Sequence, residues 1–208
     1  MTPTKPLGVI LAGGQGARMR GQDKGLLEIN GRKLVEFTVE AIRPQVSDII
    51  ISANRNLSDY QKFTPHVIKD ISGYYSGPLA GVYSVMDYVE SSSEQFDGTT
   101  DLLIVPCDMP LLPSDLTTRL YETRLKAHKT NAVAVSDGIR IQPLCCLLPL
   151  ALKPQLKAYL ENDNRKVMSW LQSIEILIAD FSDEKAKFAN INSHEDLSVV
   201  ATQLKQYE

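Results

Sequence analysis

Apolar and polar residues alternate along the chain in two patterns. Short apolar runs that end at glycine, asparagine or aspartate suit strands buried on both faces of a sheet: Leu7 to Ala12, Asp48 to Ala53 and Asp101 to Cys107. Shorter or mixed runs read as further strands at His66 to Lys69, Asn131 to Asp137, Ile139 to Leu148 and Ile174 to Ala179. Between them lie stretches with helical spacing. From Lys33 to Arg43, Leu34, Phe37, Ala41 and Ile42 share one face and Glu36 and Glu40 the other, and Pro44 ends the helix. A second helix opens at Gly77-Pro78 and runs to about Glu90, with Pro78 suited to its first turn. Others are expected from Pro113-Ser114-Asp115 to about Lys129, over Leu150 to Leu160, and over Val167 to Gln172. A last one runs through Gln206, with Asn192 as N-cap and Glu195 as its reciprocal partner.

Turn chemistry fills the joints. Asn30-Gly31 marks a turn, Ser58 to Phe63 a short helix or turn, and Ser91 to Thr100 a polar, exposed loop. Asp137-Gly138 favours a tight hairpin, so one of its flanking strands is expected to run antiparallel. Strands alternating with helices predict an α/β protein: a mostly parallel sheet with at least one antiparallel strand and helices on both faces. Neither repeat nor low-complexity linker divides the 208 residues, which fits one domain.

Composition adds exclusions. Hydrophobic residues make up 43% and charged residues 23%, and the net charge is -3, so no global field favours nucleic acid or an anionic membrane. No apolar run approaches the ~18 residues of a membrane span, and the N-terminus lacks a cleavage pattern, which points to the cytoplasm. Cys107, Cys145 and Cys146 are odd in number and form no C-x-x-C pair. Neighbours 145 and 146 would face opposite sides of a strand, as reduced core residues. His66, His128 and His194 lack zinc-ligand spacing.

The most informative stretch is LGVILAGGQGARMRGQDKGL, Leu7 to Leu26. Gly13, Gly14 and Gly16 free the backbone to turn tightly and let its amides approach a ligand. Arg18, Arg20 and Lys24 follow, making a natural cradle for a polyphosphate. It is not a P-loop, because Gln22 and Asp23 stand where Lys and Ser/Thr belong. Nor is it a dinucleotide fingerprint, because Met19 stands at the third glycine.

Leu11-Ala12-Gly13-Gly14, Arg18-Met19 and Asp23-Lys24 do resemble the signature loop of the MobA family, the molybdenum cofactor guanylyltransferases. These belong to the wider group of sugar-nucleotide-type nucleotidyltransferases. Arg20 replaces the glycine after the Met, with Gly21 next to it to take over the turn. Three more blocks follow in order: Gly77-Pro78-Leu79-Ala80-Gly81, Pro106-Cys107-Asp108-Met109-Pro110, and Asn190-Ile191-Asn192. The resemblance implies a Rossmann-like three-layer α/β/α fold of the nucleotide-diphospho-sugar transferase type. It divides the chain into a nucleotide-binding half, about 7–110, and an acceptor-binding half, about 111–208. The activity implied is transfer of GMP from GTP to molybdenum-bound molybdopterin. The implied partners are GTP, molybdopterin and molybdoenzyme-maturation proteins.

Roles can be assigned residue by residue. Asp108 follows a buried strand, where a carboxylate is costly unless it holds a cation or hydrogen bonds. Mg²⁺ on a nucleoside triphosphate usually takes one or two protein carboxylates plus phosphate oxygens and waters, and the resemblance makes Asp108 that ligand. A turn cap is its other reading. Lys24 and Arg18 would neutralise charge on the α-phosphate and the leaving pyrophosphate, whereas Arg20 could be a solvent-facing loop cation. The resemblance places Leu11, Ala12, Gly13, Gly14, Lys24, Asp70 and Asp108 on the nucleotide. A cap on a local turn is the other reading of Asp70. The family's nucleotide-binding asparagine aligns with Ser52, two positions before Asn54, so either could make that contact. Gly81 inside a helix costs about 1 kcal/mol against Ala, which suggests close approach of a ligand or neighbour. Gly77, Gly81, Asn190 and Asn192 are the acceptor-side residues by resemblance, and Asn192 also reads as a plain N-cap.

The chemistry is self-consistent. A phosphate monoester acceptor has its second pKa near ~6 and is largely dianionic at pH 7, so it needs no general base. The chain shows no covalent nucleophile or histidine triad, which leaves positioning and charge stabilisation. Rival readings are a CTP-using cofactor cytidylyltransferase, a sugar-phosphate nucleotidyltransferase, or a GTP-binding regulatory module.

Overall fold

The computed structural model describes residues 5–13, 22–71, 77–92, 94–128, 131–191 and 194–204. The strands are β1 (Leu7–Leu11), β2 (Glu28–Ile29), β3 (Arg32–Lys33), β4 (Ile49–Ser52), β5 (His66–Ile68), β6 (Asp101–Pro106), β7 (Val133–Ser136), β8 (Ile141–Pro149) and β9 (Leu177–Asp180). The helices are α1 (Leu34–Ile42), α2 (Leu57–Tyr60), α3 (Pro78–Ser91), α4 (Leu116–Lys126), α5 (Lys153–Glu161), α6 (Val167–Ser173) and α7 (His194–Leu204).

Seven strands form one sheet in the order β5-β4-β1-β6-β8-β7-β9, and β2 and β3 form a separate hairpin. The pairs β4–β5, β1–β4, β1–β6 and β7–β9 are parallel. Strand β8 runs antiparallel to both β6 and β7. The hairpin expected at Asp137-Gly138 is therefore present, and β8 is the reversed strand. The chain steps from β1 outward to β4 and β5, then returns to β6 on the other side of β1. The carboxyl ends of these four strands share one edge, where ligands bind in open α/β sheets.

Alternation along each strand sorts the core into two layers. Ile10, Ile49, Ile51, Leu103, Val105, Val133 and Cys145 face α1 and α4. Val9, Leu11, Ile50, Leu102, Ile104, Ala134 and Cys146 face α3, α5 and α6. The sheet is thus sandwiched between helices, and Cys145 and Cys146 lie on opposite faces as their adjacency requires. All three cysteines are buried thiols.

Two local readings change. α1 buries two faces, not one: Val35, Val39 and Ile42 enter the sheet core, while Leu34 and Phe37 join a smaller cluster with Ile29, Ile191 and Val200. Its outer Glu36 and Glu40 instead pair with Arg32. The polar 91–100 loop is not wholly exposed, because Phe96 is buried against His66 and Tyr88 at ring separations of 5.3 and 5.8 Å. Its one large apolar residue covers the end of α3. The expected Asn192 cap lies outside the described residues, while the helix it would start is present as α7.

Candidate active site

Loops leaving β1, β4, β5 and β6 build the site on the shared edge. Backbone ladders continue past the strands: Ala12 N donates to Ser52 O at 2.8 Å, Ala53 N to Ile68 O at 2.9 Å and Cys107 N to Leu11 O at 3.1 Å. These bonds hold Ala12-Gly13, Asn54, Asp70 and Asp108 on one rim.

One side of the rim is a hydrogen-bonded carboxylate. Ser52 Oγ donates to Asp70 Oδ1 at 3.2 Å, and Asn54 Nδ2 donates to Asp70 Oδ2 at 2.8 Å. Asp70 N in turn donates to Asn54 Oδ1 at 3.0 Å, which closes a ring between the two residues. Ser52 is buried, 1% exposed, and lies beneath this pair, whereas Asn54 stands in solvent. Helix α3 comes down directly on the cluster. A Cβ on Gly81 would lie 2.8 Å from Ser52 Oγ and 3.3 Å from Asp70 Oδ1, so the glycine is explained by close approach of a neighbour. A Cβ on Gly13 would meet Asn54 Nδ2 at 3.3 Å, so Asn54 lies against the start of the glycine-rich loop. Gly77 precedes α3 at φ +89°.

The other side is an ion pair. Lys24 Nζ lies 3.1 Å from Asp108 Oδ2, with both side chains only partly exposed. These two residues, 84 positions apart in sequence, are the pair assigned to catalysis and metal binding. Asp108 is itself strapped down. Ile191 N donates to Asp108 O at 3.1 Å, which brings the Asn190-Ile191 block to the metal-candidate aspartate. The buried Thr38 Oγ1 lies 3.4 Å from Cys107 O and 3.5 Å from Met109 O, tying α1 to the same segment. Burial, with Asp108 and Asp23 nearby, pushes the Cys107 thiol well up, so it stays a neutral packing group.

Gly14, Arg18, Arg20 and Asn192 lie outside the described residues. Sequence reasoning used Asp23 only as part of a motif, yet it is a buried carboxylate on this rim. It also gave no role to Tyr60, Asn56 or Thr38. Asp23 had a usable signal, an acid beside the key lysine; the other three had none, because their partners are remote in sequence.

Among the described residues no group of three His, Cys, Asp or Glu could hold a metal ion. Asp108, a single carboxylate beside a lysine, does not make a closed protein cage. It does fit a divalent cation that arrives on a triphosphate, which needs one or two protein oxygens and takes the rest from phosphate and water.

The chain matches the MobA-like NTP transferase domain over residues 8–176. It belongs to that family. It is 40% identical over 198 residues to the molybdenum cofactor guanylyltransferase of Shewanella sp. (strain MR-4), covering 95% of this chain and 96% of that protein. To the molybdenum cofactor guanylyltransferase of Shewanella halifaxensis it is 41% identical over 187 residues, covering 90% and 89%. Among solved structures, the molybdopterin-guanine dinucleotide biosynthesis protein A of Archaeoglobus fulgidus superposes with a TM-score of 0.73 at 19% identity, over 97% of this chain and 100% of that one. The 4-diphosphocytidyl-2C-methyl-D-erythritol synthase of Anaerococcus prevotii superposes at 0.67 with 13% identity, over 97% and 96%. At such identities these structures share the fold alone. Membership of the family makes the chain a nucleotidyltransferase, and it removes the regulatory-module reading. No helix among the described residues is long and apolar enough to cross a membrane.

Proposed function

We propose that this enzyme transfers GMP from GTP to molybdenum-bound molybdopterin, releasing pyrophosphate and forming the guanine dinucleotide cofactor. The observation that carries the reading is the Lys24–Asp108 pair at the carboxyl edge, in a chain about 40% identical over nearly its whole length to molybdenum cofactor guanylyltransferases. Residues from about 7 to 110 serve as the nucleotide-binding half and from about 111 to 208 as the acceptor-binding half. Molybdoenzyme-maturation proteins are its downstream partners, and the cytoplasm is its compartment.

Asp108 would hold Mg²⁺ together with triphosphate oxygens. Bound there, Mg²⁺ supplies positive charge to the phosphate oxygens. The chain's own residues do the rest. Lys24 turns from Asp108 toward the α-phosphate and the departing pyrophosphate, where its charge counts more in the transition state than in the ground state. Arg18 adds a second cation from the glycine-rich loop. The backbone of Leu11, Ala12, Gly13 and Gly14 lines the nucleotide. Asp70 and the exposed Asn54 contact it, and Ser52 supports Asp70 from below. Gly77, Gly81, Asn190 and Asn192 bound the acceptor side, Gly81 by letting α3 sit close to the rim. A dianionic phosphate on the acceptor attacks without a general base, so the enzyme's work is alignment and charge neutralisation.

A thermal-shift panel with Mg²⁺ and each of the four NTPs tests the nucleotide choice. GTP is expected to give the largest rise in melting temperature. A larger rise with CTP would favour the cytidylyl reading.

A further inference from the structure

The described chain resumes at Gln22-Asp23, immediately before Lys24. Asp23 is only 9% exposed, a depth at which a carboxylate is costly unless donors meet it. Donors do meet it, and among the described residues they come from 55–60. The Tyr60 hydroxyl donates to Asp23 Oδ1 at 2.5 Å, and Asn56 Nδ2 donates to Oδ2 at 3.1 Å. Arg55 Nε stands 3.6 Å from Oδ2, and Arg55 Nη2 donates to Gln22 O at 2.9 Å. Helix α2 is a single turn, Leu57–Tyr60; Asn56, just before it at φ +52°, and Tyr60, its last residue, both reach Asp23.

The residue after Lys24 is held too. Leu26 N donates to Asp23 O at 3.1 Å and Leu27 N to Lys24 O at 3.1 Å, closing a tight turn over Lys24–Leu26. That turn rests on the Tyr60 ring. A Cβ on Gly25 would stand 2.5 Å from the Tyr60 hydroxyl and 3.3 Å from Cys107 Sγ, so only glycine fits there. Tyr60 is fully buried, and burial first of all, then the neighbouring Cys107 and Asp23, pushes its hydroxyl far up, so it remains a donor. The Lys24 backbone is therefore fixed on one side by the Asp23 carboxylate and on the other by Gly25, and both rest on one tyrosine.

We propose that Tyr60 is a positioning residue for the reaction: its hydroxyl, acting through Asp23, sets the direction in which Lys24 points. This role rests on the GMP-transfer reading for its kinetic consequence, but its geometric content does not.

Tyr60→Phe keeps the ring and removes the hydroxyl. Turnover with Mg²⁺, GTP and molybdenum-bound molybdopterin is expected to fall about tenfold in kcat, with the GTP KM within about threefold, since small misplacements of a catalytic group are costly. In a Lys24→Ala background the same change should cost less than about twofold, because there is no ammonium left to aim. Thr64→Val is the control for lost stability alone. It removes a buried hydroxyl that donates to Ile49 O at 2.6 Å, at the amino-terminal end of β4, and should lower the melting temperature while kcat well below it is unchanged. Wild-type kcat in Tyr60→Phe, or a loss repeated in full on Lys24→Ala, overturns the proposal. A crystal structure of Tyr60→Phe separates this from failure of the functional reading. Lys24 Nζ should leave hydrogen-bonding reach of Asp108, and an unchanged pair overturns the positioning role whatever the acceptor is.

Discussion

Gly81→Ala sets two effects of opposite sign against each other. On helix propensity alone the change should stabilise α3 by about 1 kcal/mol. The new methyl, however, would sit 2.8 Å from Ser52 Oγ, 3.3 Å from Asp70 Oδ1 and 3.3 Å from Leu11 Cδ2. Gly81 and Ser52 are both buried, and Ser52 must rotate away from its 3.2 Å bond to the half-buried Asp70. Overpacking of this kind costs roughly 1–3 kcal/mol, and a lost hydrogen bond to a charged group is worth about 1.5–3 kcal/mol. These costs overlap, and together they outweigh the propensity gain by about 1–2 kcal/mol. For a chain of this size that corresponds to a fall of roughly 3–6 °C in melting temperature. Because Asp70 loses one of its two side-chain donors, the GTP KM should also rise several-fold. Thermal melts of Gly81→Ala, Ser52→Ala and the double variant separate the terms. Ser52→Ala removes the clashing oxygen, so the double variant should be more stable than the sum of the singles predicts. A Gly81→Ala protein that melts higher than wild type, with an unchanged GTP KM, would refute the reasoning.

Lys24→Ala should lower kcat by about 10²- to 10³-fold, the usual loss for one preorganised charge, while the melting temperature stays near wild type because a partly exposed pair adds little stability. Steady-state kinetics and a melt on one sample check both halves. Asp101→Ala should do the reverse. Asp101 and Arg124 form a largely buried pair 2.8 Å apart at the start of β6, away from the catalytic rim, and leaving Arg124 unpaired should cost about 3–5 kcal/mol in denaturant melts without changing kcat of the folded enzyme. Burial works against the Asp137 carboxylate, yet the amides of Arg140 and Ile139 and the Gln142 side chain hold its pKa below the ordinary 3.8. A carboxylate depressed on folding adds stability above that value and loses it as the pH drops through the folded value. Asp137→Asn should therefore be less stable than wild type at pH 7, with the gap closing as the pH falls below 3.8; urea titrations across that range would show a constant gap if the idea is wrong.

The strongest apolar runs were legible because a strand buried on both faces leaves no other explanation for Leu7 to Leu11 or Leu102 to Val105. The reversed β8 was legible through Asp137-Gly138, a local signal. Strand order was not, since nothing in β6 says that it returns beside β1. The pair proposed for catalysis could be named from motifs, but the 3.1 Å contact between Lys24 and Asp108 is a product of that return. The reason for Gly81 was half legible: a helical glycine signals close approach, but not that Ser52 and Asp70 are what it approaches. The supports of Lys24 were hidden most completely. Tyr60 sits in a connection that reads only as a short helix or turn, and its partner Asp23 is 37 positions away, across β2, β3, α1 and β4. Hydrophobic periodicity reports which face a residue occupies, not which polar group it meets there.

GMP transfer is read out by its two products. The protein is incubated with Mg²⁺, molybdenum-bound molybdopterin and each NTP in turn, and pyrophosphate and dinucleotide are measured together, with Asp108→Ala in parallel. Both products are expected with GTP alone and neither with the variant. Dinucleotide formed equally well from CTP, or by Asp108→Ala at the wild-type rate, would contradict the GMP-transfer reading.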